Sequence, residues 1–226
     1  MKAILFDLDG TLMDTSEGVI ESVQYTIKQL GFFPLSKSVM KTFVGPPIQD
    51  SLKKHYGCND EIAQKGANIF REYYLNHAIG MAVVYPGIYE TLKMIKKQGC
   101  KIAVATYKRE DIAIKMLKRF SIDVYCDIIH GADNLNQLSK SDVINLCLEE
   151  LEVDRDSVVL VGDSIHDAKG AFEANISFIA ALYGLGLKSE MDIHNYPYVG
   201  CIYKPLELLE YVWGEKYEMA CFFWFA

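Results

Sequence analysis

An α/β fold with an inserted helical segment is what this sequence predicts, and three observations predict it. The chain opens on a short apolar run, Ala3-Ile4-Leu5-Phe6, cut off by Asp7-Leu8-Asp9-Gly10-Thr11. From Thr15 to about Val84 the apolar residues repeat at helical spacing, and no strand pattern is evident. After Tyr85-Pro86-Gly87, short apolar runs alternate with helical patterns. Strands alternating with helices imply a parallel sheet covered on both faces. The expected architecture is therefore a Rossmann-like parallel sheet core, residues 1–14 and 85–226, with an all-helical cap domain inserted at 15–84.

The elements follow in order. A short apolar run stopped by a turn residue, as at 3–6, reads as a buried strand. Val19, Ile20, Val23, Ile27 and Leu30 share one helix face, and Gly31 ends it. Helices follow near 37–44, 48–56 and 60–77, the last marked by Ile62, Ile69, Phe70 and Tyr73. Ile88, Leu92 and Ile95 mark a helix that Gly99 closes, and 101–106 reads as a strand. A helix near 110–120 precedes a short strand at 127–129. Val143, Ile144, Cys147, Leu148 and Leu151 lie on one face of a helix over 141–151. Val158 to Val161 is a strand and 166–175 a helix. Short strands at 177–182 and 200–203 and a helix from Pro205 complete the pattern.

Composition narrows the function. Half of the 226 residues are apolar and 23% are charged, as in an ordinary globular protein. A net charge of −7 argues against a nucleic-acid backbone as partner, because binding it needs a basic face. A small phosphorylated metabolite is compatible, since one metal ion and one lysine neutralise it locally. No apolar run approaches the ~20 residues of a membrane helix. The six cysteines form no CxxC pair and read as reduced, mostly buried thiols, so a cytoplasmic protein is expected. Monomer and homodimer are left open.

Ligands of an open parallel sheet bind beyond the carboxyl ends of its strands. The first strand ends in Asp7 and Asp9, the second in Thr106, and a later one in Gly162-Asp163-Ser164 with Asp167 close behind. Lys140 begins the helix before that strand. Four carboxylates, a hydroxyl and a lysine thus converge on one sheet edge. Asp7 and Asp9 are two apart and share one direction in extended chain, so one can attack phosphorus while the other donates a proton. Asp163 can complete the shell of Mg²⁺, a hard cation that takes oxygen ligands. Metal charge would also screen a carboxylate nucleophile from a phosphate dianion. Ordinary explanations exist beside these. Ser139-Lys140-Ser141 could be a capped helix start, and an acid at Asp167 suits any helix's first turn. His166 is expected on a helix surface. Gly184-x-Gly186 near Lys188 lacks the full phosphate-loop pattern.

Asp7-Leu8-Asp9-Gly10-Thr11-Leu12 resembles the first motif of the haloacid-dehalogenase-like hydrolases. Thr106, Lys140 and Gly162-Asp163-Ser164-Ile165-His166-Asp167 are similar to its second, third and fourth motifs, in order. A helical insertion straight after the first motif resembles the family's alpha-helical cap. Within the family, Phe43-Val44-Gly45-Pro46-Pro47-Ile48-Gln49 and Leu182-Tyr183-Gly184-Leu185-Gly186, followed by Glu190, are similar to the phosphoglycolate-phosphatase and bacterial 5′-nucleotidase branch. The resemblance implies a Mg²⁺-dependent phosphatase acting on a small phosphomonoester through an aspartyl-phosphate. It implies Asp7 as nucleophile and metal ligand, and Asp9 as acid, then base, with its carbonyl on the metal. Thr106 and Lys140 would hold the phosphoryl oxygens, Asp163 would ligate Mg²⁺, Asp167 would ligate it or orient its waters, and Thr11 would support the loop. Tyr107 stands where the wider family often has Asn, which removes that asparagine's hydrogen bond to Asp7. The leaving group is expected to be read by Gly45, Pro46, Pro47 and Gln49, with Tyr107 and Lys108 at the rim. A sugar phosphomutase of the same family and a catalytically silent binding protein are the alternatives. A dehalogenase would need neither Asp9 nor a metal.

Overall fold

The computed structural model of the protein describes residues 1–213; the aromatic run at 221–225 lies outside them. Four apolar residues with no polar partner to offer, Ala3–Phe6, form strand β1 and are completely buried. β1 is the centre of a six-stranded sheet. The other strands are β4 (Lys101–Arg109), β5 (Ile128–Ala132), β6 (Val158–Gly162), β7 (Ser177–Ala181) and β8 (Gly200–Ile202), in the order β5-β4-β1-β6-β7-β8. Every pairing is parallel, with Phe6 opposite Val104 on one side and Val161 on the other. The parallel sheet covered by helices that the sequence predicts is thus the fold observed.

Side chains alternate across β1 and so feed two separate cores. Ile4 and Phe6 pack with α5 (Ile88–Lys97) and α6 (Glu110–Arg119). Ala3 and Leu5 pack with α7 (Lys140–Leu151) and α8 (Ile165–Glu173). The core on the α5–α6 side continues into a helical segment made of α1 (Ser16–Gln29), α2 (Lys37–Lys41), α3 (Ile48–Tyr56) and α4 (Asp60–Tyr73), through Val23, Leu52, Ala67 and Tyr74. A 3₁₀ turn at Pro205–Glu207 leads into α9 (Leu208–Trp213).

Three departures from the sequence pattern matter for the site. The stretch 15–84 is not free of strand: β3 (Val83–Val84) pairs antiparallel with β2 (Met13–Asp14), bringing the two crossings into the helical segment side by side. Two residues carry no periodicity, so the sequence could not show them. Next, α4 gives way to a π turn at Tyr74–Ala78, which widens the helix where Tyr74 meets the sheet's core. Finally, β4 runs past Thr106 to Arg109 with a register shift against β5 between those residues. Such a bulge re-aims the side chains it carries. Here they are Tyr107 and Lys108.

Candidate active site

Strand order places the acids. From β1 the chain runs outward through β4 and β5 on one side, then crosses over to β6 and runs outward through β7 and β8 on the other, and such a switch point beside β1 is where open α/β sheets bind ligands. Asp7 and Asp9 follow β1, Thr106 lies on β4, and Asp163 follows β6, so three neighbouring strands deliver them to one edge. Asp7, Asp9, Thr106, Lys140, Asp163 and Asp167 are all buried.

Lys140 is the hub. Its Nζ lies 2.7 Å from Asp7 Oδ1 and 2.6 Å from Asp167 Oδ1. Ser139 does form a capping box with Asp142, so the start of α7 is capped and also places Lys140 between two buried acids. The Lys140 backbone N–H donates to the Tyr107 hydroxyl at 3.0 Å. Tyr107 thus anchors the first turn of α7 rather than Asp7, the contact that its replacement of asparagine predicted lost. The Tyr107 ring also meets His166 edge-on at 5.7 Å, so His166 is half-buried rather than on an open surface.

Asp163 is gripped by the segment after β7. Leu185 and Gly186 donate their backbone N–H groups to its Oδ2 at 2.7 and 2.9 Å, and Leu187 donates to its carbonyl at 2.6 Å. This close wrapping explains Gly184: a side chain there would collide with Asp163 and with the Gly10 carbonyl. Gly10 has φ +84°, and a Cβ on it would run into the Asp163 carboxylate. Asp167 closes a capping box at the N-terminus of α8, where Ser164 Oγ donates to its Oδ2 at 2.6 Å.

The result is a buried acidic cluster. Oxygens of Asp7, Asp163 and Asp167 lie within 4.8 Å of one another. Burial pushes Asp7 up to about 7, against the opposing pull of Lys140. Burial, then repulsion from Asp167 and Asp7, pushes Asp163 up to about 8. Lys140 loses by burial but gains more from Asp167 and Asp7, and is held above the usual lysine range. Three carboxylates facing one ammonium leave negative charge unmet, and an all-oxygen set of this kind suits a hard divalent cation such as Mg²⁺.

Asp9 lies on the other side of the cluster. Lys108 Nζ approaches its Oδ2 at 2.8 Å, while its Oδ1 is buried with no hydrogen-bond partner. Lys108, expected at the rim, is buried and sits 4.7 Å over the Tyr74 ring. Thr106 Oγ1 accepts from the Lys108 N–H at 3.2 Å, within the bulge. A cavity of about 60 Å³ opens beside Asp9, and Gly45, Pro46, Pro47, Tyr107 and Lys108 line it. Gln49 does not line it; its amide instead donates to Gln64 Oε1 at 3.1 Å. Arg71, Tyr74, Arg109 and Asn136 line it too, and the sequence reading missed them. Only the burial of Arg71 on the apolar face of an amphipathic helix could have flagged it, because its partner, Asn134, is distant in sequence.

Known proteins with the same layout can now be set beside this one. A 5′-nucleotidase of Pseudomonas aeruginosa is 30% identical over 192 residues, which cover 84% of this chain and 87% of that protein. A phosphoglycolate phosphatase of Aquifex aeolicus is 30% identical over 185 residues, covering 81% and 86%. The crystal structure of a predicted phosphatase from Clostridium acetobutylicum superposes with a TM-score of 0.87 at 31% identity, covering 93% of this chain and 97% of that one. Residues 4–181, from β1 to the end of β7, match the family model described as haloacid dehalogenase-like hydrolase. The chain therefore belongs to the haloacid dehalogenase-like hydrolases, as an enzyme of their phosphatase group.

Proposed function

We propose that this enzyme hydrolyses a small phosphomonoester through an aspartyl-phosphate on Asp7. The observation that carries the reading is the pairing of one buried carboxylate under Lys140 with a second, Asp9, whose Oδ1 is buried and unpartnered. Asp7 attacks phosphorus. Asp9 Oδ1, free to carry a proton, gives it to the leaving oxygen and later takes one from the water that hydrolyses the acyl phosphate. Lys140 and the Thr106 hydroxyl bind the equatorial phosphoryl oxygens, where charge is greatest in the transition state. Asp7, Asp163 and Asp167, with the Asp9 backbone carbonyl, are the groups that would hold Mg²⁺. When bound, that ion offsets the repulsion between a carboxylate nucleophile and a phosphate dianion.

The helical segment 15–84 serves as a cap on a core of 1–14 and 85–226, and its loop at Gly45, Pro46 and Pro47 faces the leaving group. A phosphoglycolate-like or nucleoside 5′-monophosphate-like substrate is the class the named relatives support. The five described cysteines are free thiols, which accords with a reducing compartment such as the cytoplasm. No helix among the described residues is long and apolar enough to cross a membrane.

The experiment is phosphate release from 4-nitrophenyl phosphate by the purified chain with and without Mg²⁺. Turnover with the ion, none in chelated but folded protein, and none in Asp7→Asn are expected. Equal turnover in Asp7→Asn would sink the proposal.

A further inference from the structure

Arg71 lies on α4, 7% exposed, and lines the same cavity as Asp9. Its neighbours there are already paired, Lys108 with Asp9 and Arg109 with Asp111. Arg71 makes no ion pair with an acid among the described residues. Its Nη1 donates instead to two neutral oxygens of Asn134, the carbonyl at 2.8 Å and Oδ1 at 3.1 Å. Arg109 Nη1 donates to the same Oδ1 at 3.0 Å, so one side-chain oxygen holds two guanidinium groups together.

Buried cations ordinarily carry a paired acid, because desolvating an unpaired charge is costly. Burial, then the nearby Arg109, pulls Arg71 down to about 10, while Asp111 and Asp133 pull the other way. Arg71 therefore stays charged at neutral pH. Three cations, Arg71, Lys108 and Arg109, line the cavity against one carboxylate, Asp9. A guanidinium carries five N–H donors in a fork that fits carboxylate or phosphoryl oxygens. Asn134 engages only Nη1.

We propose that Arg71, with Arg109 beside it, forms a second anion subsite that recognises a carboxylate or phosphoryl group on the leaving group itself. This rests on the phosphatase reading above, which puts the leaving oxygen at Asp9. Arg71 and Asp9 line one cavity, so the second anion belongs to a leaving group that reaches from Asp9 to Arg71. A doubly anionic ester fits this arrangement.

The test is calorimetric titration of the full chain, with Mg²⁺, using phosphonates that are not hydrolysed. 3-Phosphonopropionate carries the second anion, and propylphosphonate matches it in length without one. Methylenediphosphonate distinguishes a phosphoryl from a carboxylate preference. The wild type should bind one of the dianionic probes about 10- to 100-fold tighter than propylphosphonate, the range for hydrogen bonds to a charged group. In Arg71→Gln that ratio should collapse, and in Arg71→Lys, which keeps charge but loses the fork, it should fall part-way. Should Arg71→Gln fail to fold, Arg71→Lys and the wild-type ratio carry the test. Equal wild-type affinities overturn the proposal, as does an intact ratio in the Arg71 variants. Hydrolysis of 4-nitrophenyl phosphate by the same preparation keeps the two readings apart. An inactive protein that retains the ratio defeats the phosphatase reading alone, and an active one without it defeats the subsite alone.

Discussion

Lys108 Nζ lies 2.8 Å from Asp9 Oδ2, with each side chain more than nine-tenths buried, in a contact that the β4 bulge creates. One oxygen of Asp9 is thereby fixed while the other stays unpartnered. Burial lowers the Lys108 pKa, but Asp9, Tyr74 and Asp7 together raise it above the usual lysine value, so the ammonium persists through neutral pH. Lys108→Gln should therefore disturb Asp9 as a proton donor, with kcat down by about 10- to 100-fold for alkyl phosphates. A 4-nitrophenyl leaving group needs little protonation and should lose less. The leaving-group dependence of kcat/KM checks this: an unchanged slope would mean that Lys108 acts elsewhere.

Asp7 and Asp9 should fail in different ways. Asp7→Asn removes the attacking oxygen, so neither turnover nor covalent phosphate on the protein is expected. Asp9→Asn keeps the nucleophile and loses the proton donor, worth about 10²–10⁴ in rate. With an aryl phosphate the first step should partly survive and phospho-enzyme should accumulate. Intact-mass measurement after rapid quenching reads both, and covalent phosphate on each mutant would refute the assignment.

Metal-free protein should lose stability as pH rises from about 6 to 8.5. Asp7 and Asp163, raised to about 7 and about 8, hold protons in the folded state that the unfolded chain releases near 4. The folded state thus binds more protons in that window, and stability falls with pH through those folded values. Mg²⁺ should remove most of the loss, so its stabilising effect should grow with pH. A thermal melt series with and without the ion tests this, with a drop of about 5 °C or more expected in its absence. A flat or rising metal-free curve would contradict the cluster's electrostatics.

Gly184→Ala should act on Asp163 without touching its chemistry. The added methyl would meet Asp163 and the Gly10 carbonyl, both backed by packed strands. Overpacking of this kind costs about 1–3 kcal/mol. Mg²⁺ affinity should fall with stability, and a variant with a lower Tm but unaltered Mg²⁺ titration would show that the segment after β7 supports the fold only.

Replacing Pro46 and Pro47 with alanine should loosen a wall of the cavity, because two fixed φ angles are released. The ratio of kcat/KM for the best natural ester to that for 4-nitrophenyl phosphate should drop. Equal slowing of both would move specificity away from this loop.

The sheet and the acidic cluster were legible in sequence for one reason: each residue sits at the end of an apolar run, where period and polarity change abruptly. Asp7, Thr106 and Asp163 are found that way, and all three prove to be buried neighbours. Arg71 was not legible, because its meaning depends on Asn134, a loop residue beyond β5. Lys108 was placed at the rim for want of the bulge, whose register shift no propensity records. Gln49 was carried along with its proline neighbours, yet as the second residue of α3 it donates to Gln64 and does not line the cavity.

The central position of β1 also bears on how the chain finds its fold. β4 and β6 share no edge, so the two halves of the sheet, β5-β4 and β6-β7-β8, are joined only through β1. Ala3–Phe6 leaves the ribosome well before its partners at Lys101–Val104 and Val158–Val161. A bare apolar strand must therefore wait, through the synthesis of all the intervening helices, for both neighbours to be delivered. Such long-range closure is slow and exposes the nascent chain to misassociation. The strand that positions Asp7 is thus the keystone of assembly as well, and charged substitutions at Ile4 or Phe6 should leave insoluble, half-built protein rather than an inactive enzyme.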